Sequence, residues 1–325
     1  MHILDAIDEQ LIERLLVERH FFWLDVVHPS DEQLSWLGER FGWHPLAIED
    51  TREFRQRPKL DRYGDHMLLV FYGAQPIDSQ HRLLEVPDEE TARRKLVEVH
   101  LLVSGNWVVT VRRDWCGAVD DLRARMRKER EPESESFVIY RILDALTDTF
   151  FPLLEAIDDT IDTLEDAIIL DATDRQLQGI FKLKRALAAL RRIVTPQRDL
   201  AQRAIEDIND LPGLDVGTRD YFRDVYDHLI RVSDLVDSYR DLLTGLMDVY
   251  LSTASNRMNQ VMKQLTLVST VFLPVTALTG FFGMNFGWLV RHIDSVWSFM
   301  VFGVGGAAVA AVGLFIWFKR ARFFD

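Results

Sequence analysis

A single cysteine, Cys116, in 325 residues leaves no partner for an intrachain disulfide and no basis for a thiolate metal cluster. The body of the chain therefore suits a reducing compartment. Basic residues are also scarce: 38 Lys and Arg stand against 51 Asp and Glu, a net charge of −13. That balance argues against nucleic acid as a partner, because phosphate binding needs clustered Lys and Arg, and it favours attraction of cations. Met1-His2-Ile3-Leu4-Asp5 lacks a basic start followed by an apolar run, so no signal peptide is expected. Catalytic signatures are missing too. There is no G-x-S-x-G elbow, no P-loop and no H-E-x-x-H, and the nine histidines are scattered rather than paired at ligand spacing. Neither an enzymatic activity nor an organic cofactor is expected.

The scarcest commodity is charge near the C-terminus. Downstream of Gln264 stand only Arg291, Lys319, Arg320 and Arg322 among basic residues, and Asp294 and Asp325 among acidic ones. The first 264 residues hold the other 34 basic and 49 acidic side chains, a net of −15. Within the tail, 265–284 is 20 residues without a charge and 297–318 is 22. About 20 apolar residues cross a bilayer core, so two transmembrane helices are expected, joined by an outer loop at 285–296. Arg257 and Lys263 before the first span, and Lys319, Arg320 and Arg322 after the second, place both termini in the cytoplasm. Gly303-Val304-Gly305-Gly306-Ala307-Ala308 matches a nucleotide fingerprint only nominally, since that motif needs a preceding strand; small residues that let helices pack in lipid suit it better.

The cytoplasmic part reads as a small α/β domain over 1–127, with strand character at 21–26, 67–72, 96–103 and 107–111 and a hairpin turn at Ser104-Gly105-Asn106. Ser30 with Gln33 three residues later predicts a capped helix ending near Phe41. A linker at 128–136 and a helical hairpin, 137–170 and 174–208, complete a segment ending at 213. From 214 to 264 runs the cytoplasmic part of a stalk helix. The whole stretch Arg219–Phe282 holds one glycine and one proline in 64 residues, a helix of roughly 95 Å at 1.5 Å per residue. Leu229, Val232, Val236, Tyr239, Leu243 and Leu246 recur at threes and fours and give it an apolar stripe.

Two polar patterns on that helix point to cations. Asp227, Asp234, Asp241 and Asp248 recur every seven residues, with Asp224 and Asp237 between them. A solvated face explains such a stripe, and so do stacked carboxylate rings if several copies surround an axis; such rings attract divalent ions, which take oxygen ligands. Nearer the membrane, Asn259, Met262, Leu265, Ser269, Leu273, Thr276 and Gly280 follow spacings of three and four and share one face. Its alternation of polar and apolar residues fits a pore wall, and small and hydroxyl residues equally fit a helix-packing seam.

Gly283-Met284-Asn285, directly after the first of two terminal spans, resembles the signature of the CorA family of magnesium and divalent-cation transporters. The stalk segments 221–228 and 248–252, Ser255-Asn256, Val261-Met262-Lys263, and the N-terminal His44-Pro45-Leu46-Ala47-Ile48-Glu49-Asp50 and Gln56-Arg57-Pro58-Lys59 are similar to family motifs as well. The resemblance implies an α+β membrane protein of the inner (cell) membrane: a cytoplasmic α/β domain, a long stalk and two C-terminal spans, assembled as a funnel-shaped homopentamer in the lipid bilayer. It implies Mg²⁺ as both cargo and regulator. Gly283, Met284 and Asn285 would form the filter, Met262 and Leu265 a hydrophobic constriction, and Asn259 and Thr276 polar stations, while Asp50 and Asp224 of adjacent subunits would sense cytoplasmic Mg²⁺. The segment after Asn285 departs from the family's methionine-proline-glutamate-leucine pattern: the glutamate is absent, Arg291 is present, and Asp294 is the only acid left to replace it. Passive, potential-driven Mg²⁺ influx, with Co²⁺ and Ni²⁺ as further cargo, is the expected function. Proton-coupled zinc transport, with slight support from His292, and a non-conducting membrane-anchored scaffold are the alternatives.

Overall fold

The computed structural model describes residues 1–76, 89–128, 134–284, 287–292 and 295–320. The chain divides into two compact units, Met1–Val249 and Tyr250–Asp325.

The first unit is built on a six-stranded sheet in the order β1-β2-β6-β5-β4-β3, comprising β1 (His2–Leu4), β2 (Phe22–Val27), β3 (Lys59–Tyr63), β4 (His66–Ala74), β5 (Leu96–Ser104) and β6 (Trp107–Arg112). β1, β2 and β6 run parallel; β6, β5, β4 and β3 are antiparallel neighbours. Every residue of β4 and β6 is buried, as expected of a sheet covered on both faces. On one face Trp23, Met67, Leu69, Phe71, Val99 and Leu101 pack against α5 (Gly117–Met126), α6 (Glu135–Asp148) and parts of later helices. On the other, Phe41 from α2 (Asp31–Phe41) sits 6.1 Å from Phe22 and 4.7 Å from Trp107, ring to ring. The helices α1 (Glu9–Val17) and α3 (Pro45–Glu53) bury Ile12, Leu15 and Ala47.

Four strands and the Ser30 capping box form as the sequence predicts; Gln33 N–H donates to Ser30 Oγ at 3.2 Å and Ser30 N–H to Gln33 Oε1 at 2.9 Å. β1 and β3 are additions to the expected set. The first arm of the helical hairpin is two helices, α6 and α7 (Phe150–Leu170), because Pro152 cannot donate to the carbonyl of Asp148 and its ring crowds that turn. Thr149 fills the break, its Oγ accepting the Ala74 amide at 2.6 Å. The second arm is α8 (Asp174–Glu206). Linker residues 129–133 lie outside the described residues.

α9 (Arg219–Phe282) has the bounds expected from the sequence, and its stripe Leu229, Val232, Val236, Tyr239, Leu243 and Leu246 is buried. Arg191 to Asp237 (3.3 Å), Lys184 to Thr244 (3.0 Å) and the Arg231 guanidinium over Phe151 (5.3 Å) tie α7 and α8 to it. Gly213 (φ +76°) closes the turn before α9, where a Cβ would come within 2.8 Å of the Ser104 carbonyl and 2.5 Å of Val103. Only glycine fits there.

In the second unit two helical segments are long and apolar enough to cross a membrane: the end of α9, and Val296–Arg320. α10 (Gly287–His292) stands between them. The second segment begins as a short helix, α11 (Val296–Ser298), widens into a π-helical turn at Phe299–Gly305 and continues as α12 (Gly306–Arg320). Gly303–Gly306 thus sits in helix, not after a strand, and a Cβ at Gly306 would lie 4.0 Å from Leu278 Cδ1.

Candidate functional site: carboxylate clusters and an uncovered helix face

Around Asp224, one of the two residues expected to sense Mg²⁺, the structure gathers side chains able to hold a metal ion. Asp144 and Asp148, one turn apart on α6, face Asp224 and His228, one turn apart on α9. His228 Nδ1 lies 3.6 Å from Asp144 Oδ1 and 3.5 Å from Asp148 Oδ1, and Nε2 lies 3.8 Å from Asp224 Oδ1. One ligand atom each from Asp144, Asp224 and His228 falls within a 4.8 Å circle. Asp144 Oδ1 and His228 Nδ1 are buried without a hydrogen bond. Burial and the neighbouring Asp148 hold the Asp144 carboxyl above the usual carboxylate range, and burial with Asp144, Asp224 and Asp148 pushes Tyr140 up to about 12. Crowded carboxylates with unmet lone pairs are what a divalent cation relieves. The two i,i+4 pairs were visible in the sequence; that they meet across 80 residues was not.

Asp50, at the end of α3, stands apart from that cluster in the protomer. Its Oδ2 accepts from Lys59 Nζ at 2.7 Å, and the same ammonium reaches Asp61 at 2.8 Å. Among the described residues, Asp50 and Asp224 are not brought into one group within a single chain. Of the α9 aspartates, Asp227, Asp234, Asp241 and Asp248 are exposed, whereas Asp237 is half-buried and paired with Arg191 and Arg240.

In the second unit, α9 has two unlike sides. Leu267, Thr270, Val271, Pro274, Val275, Leu278 and Phe282 are partly covered, while Asn259, Met262, Leu265, Ser269, Leu273, Thr276 and Gly280 are exposed, as are their neighbours Val261, Thr266, Val268, Phe272, Ala277 and Thr279. Thr266, Thr270 and Thr279 spend their hydroxyls on backbone carbonyls within the helix at 2.7–3.0 Å. Among the described residues, Ser269 and Thr276 on the uncovered face make no such bond. In lipid a hydroxyl does best bonded to its own helix; one left free suits a watery surface.

α9 ends at Phe282, and the Gly283 N–H still donates to the Thr279 carbonyl at 2.9 Å. Met284 is exposed. Asn285 and Asp294 lie outside the described residues. Beyond them, His292 stacks on Trp288 at 4.6 Å and has Nδ1 2.9 Å from the Trp288 carbonyl, so one ring nitrogen is already engaged.

Comparison with known proteins adds four findings. The Cobalt/magnesium transport protein CorA of Thermotoga maritima is 34% identical over 306 residues, 92% of this chain and 82% of that protein. The Zinc transport protein ZntB of Yersinia enterocolitica is 27% identical, over 92% of this chain and 87% of its own length. The fold matches the complete structure of the CorA magnesium transporter from Methanocaldococcus jannaschii with a TM-score of 0.76 at 23% identity, covering 92% of this chain and 90% of that one. The family described as CorA-like Mg²⁺ transporter protein matches residues 18–320, and the chain, with its α/β domain, its long helix and its two membrane-length apolar helices, belongs to that family.

Proposed function

We propose that the chain is a passive Mg²⁺ influx channel, with Co²⁺ and Ni²⁺ as further cargo, driven by the membrane potential and closed by divalent cations in the cytoplasm. In this reading it is a homopentamer spanning the inner membrane with both termini inside, and the long helices line the conduction path. At 100 mV, inside negative, two charges gain about 4.6 kcal/mol on entry, so no nucleotide is needed.

The observation that carries the reading is the largely exposed run of α9 from Asn259 to Gly280, on which Asn259, Met262, Leu265, Ser269, Leu273, Thr276 and Gly280 share one side and the Ser269 and Thr276 hydroxyls remain unspent. Around a five-fold axis this face becomes the pore wall, with Met262 and Leu265 as its hydrophobic constriction. Gly283, Met284 and Asn285 form the outer filter, where side-chain amides hydrogen-bond the hydration shell that Mg²⁺ gives up reluctantly. Asp227, Asp234, Asp241 and Asp248 raise the local cation concentration. Asp50 of one subunit and Asp224 of the next hold the regulatory ion, and the crowding of Asp224 by Asp144 and His228 supports this role for it. The notional domains follow: 1–127 and 128–213 sense, 214–264 transmits, 265–284 and 297–318 span, 285–296 selects and 319–325 anchors.

In liposomes the protein admits Mg²⁺ and Asn285→Ala abolishes the flux; uptake unchanged by that substitution rejects the filter. Asp50→Ala with Asp224→Ala relieves inhibition by internal Mg²⁺, and equal inhibition rejects the sensor. Zinc transport, favoured by the likeness to ZntB, predicts flux that follows an imposed pH gradient, while a scaffold predicts no flux.

A further inference from the structure

Asp50 is not a vacant carboxylate. Lys59 Nζ already sits 2.7 Å from it and 2.8 Å from Asp61, and all three side chains are partly buried. The arrangement is held at both ends. Asp50 occupies the last turn of α3, and Lys59 opens β3 in register with Val70. Between them Phe54 and Arg55 have φ of +56° and +59°, a left-handed pair that side chains other than glycine adopt at a cost. That turn is clamped from β5: Glu98 accepts the Arg55 amide at 2.6 Å and the Gln56 amide at 2.9 Å, and its Oε1 also meets His100 Nε2 at 2.7 Å. A strained loop secured in this way gives Lys59 a fixed origin close to Asp50.

We infer that Lys59 is a tethered counter-ion that competes with the regulatory divalent cation for Asp50, with Asp61 as the position to which its ammonium withdraws when the cation binds. This rests on Asp50 serving as the sensor proposed above. A divalent ion arriving at Asp50 meets a positive charge within salt-bridge distance, so the lysine raises the cation concentration at which the channel closes. Without it, Asp50 would stay saturated at lower internal Mg²⁺ and the transporter would shut prematurely. Asp61 is the second half of the device. With one carboxylate to hold and one to leave, the ammonium can yield Asp50 without being stranded in a half-buried site.

The test is Mg²⁺ flux into liposomes loaded with graded internal Mg²⁺, read as the concentration giving half inhibition. Lys59→Gln lowers that concentration about three- to tenfold, the scale expected from removing one unit charge beside a divalent ion in a partly hydrated site. Lys59→Arg keeps the charge and stays near the wild type, which also controls for folding. Asp61→Asn moves it the opposite way, upward, because the lysine then has only Asp50. A role for Lys59 in merely shaping the α3–β3 junction predicts that Lys59→Gln weakens inhibition, and that outcome, or no change, overturns the proposal while Asp50→Ala still relieves inhibition. If Asp50→Ala also leaves inhibition intact, the sensor itself is wrong and the competitor falls with it.

Discussion

The two units solve opposite problems with the same helix. Up to Val249, α9 buries its apolar stripe against α7 and α8 and exposes most of its aspartates; from Tyr250 it exposes Val268, Phe272 and Phe281, at 50%, 65% and 50%. Water is the solvent of the first arrangement and cannot be that of the second, since exposed apolar area costs roughly 25 cal/mol per Å² in water. Polar groups follow the same division. In the first unit, ionised groups are taken inside and paired: Asp25, fully buried, accepts from Thr110 (2.7 Å), Arg112 (2.8 Å) and Arg123 (2.7 Å). In the second unit no such network exists among the described residues, and hydroxyls turn to the backbone instead.

The contrast is sharpest at Asp25. Asp25→Ala removes the buried carboxylate that Arg112 and Arg123 share and leaves Arg112 only the partly exposed Asp120 at 2.5 Å, and breaking a buried pair costs about 3–5 kcal/mol; thermal unfolding should show a large drop in midpoint, while Phe272→Ala, on an exposed face, leaves it nearly unmoved. Glu135 comes next. Burial holds its carboxyl up at about 9 against an ordinary 4.5, with a backbone hydrogen bond at Ser104 offsetting part of the effect. Between those values the unfolded chain ionises and the folded chain keeps the proton, so stability falls as pH rises, by at most about 1.4 kcal/mol per unit. Glu135→Gln should flatten that slope, and melting curves at pH 5.5 and 8 measure it. Smaller again is the pair within the tail: Thr276→Val should lower Mg²⁺ flux roughly tenfold, the worth of a hydrogen bond to a charged species, whereas Thr270→Val, on the partly covered side with its hydroxyl bonded to the Thr266 carbonyl, should not. Equal effects would erase the distinction between the two sides of α9. Ser30→Ala, which removes a cap, should cost about 1 kcal/mol and leave flux alone.

Periodic features were legible in the sequence because they repeat. The buried stripe of α9 follows from spacings of three and four, and its bounds from a stretch of 64 residues with one glycine and one proline. The Ser30–Gln33 box is a local rule and formed as one. β1 escaped because three residues carry no alternation, and β3 because Lys59-Leu60-Asp61-Arg62-Tyr63 is too charged to look like a strand; it is an edge strand, where charge is tolerated. The break at Thr149 was visible in Pro152, but apolar residues on both sides masked it. The Asp144–Asp148–Asp224–His228 group and the Lys59 bridge depend on which helices and strands become neighbours, and no local pattern encodes that.

The π-helical turn at Phe299–Gly305 changes how the second span must be probed. Each closed loop there takes one residue more than in an α-helix, so the angular phase of side chains before Phe299 is out of step with that after Gly305. A scan of single substitutions along 296–320 will not fit one sinusoid. It will fit two, offset across the glycines, and the size of the offset measures how much of the wide turn survives in the bilayer.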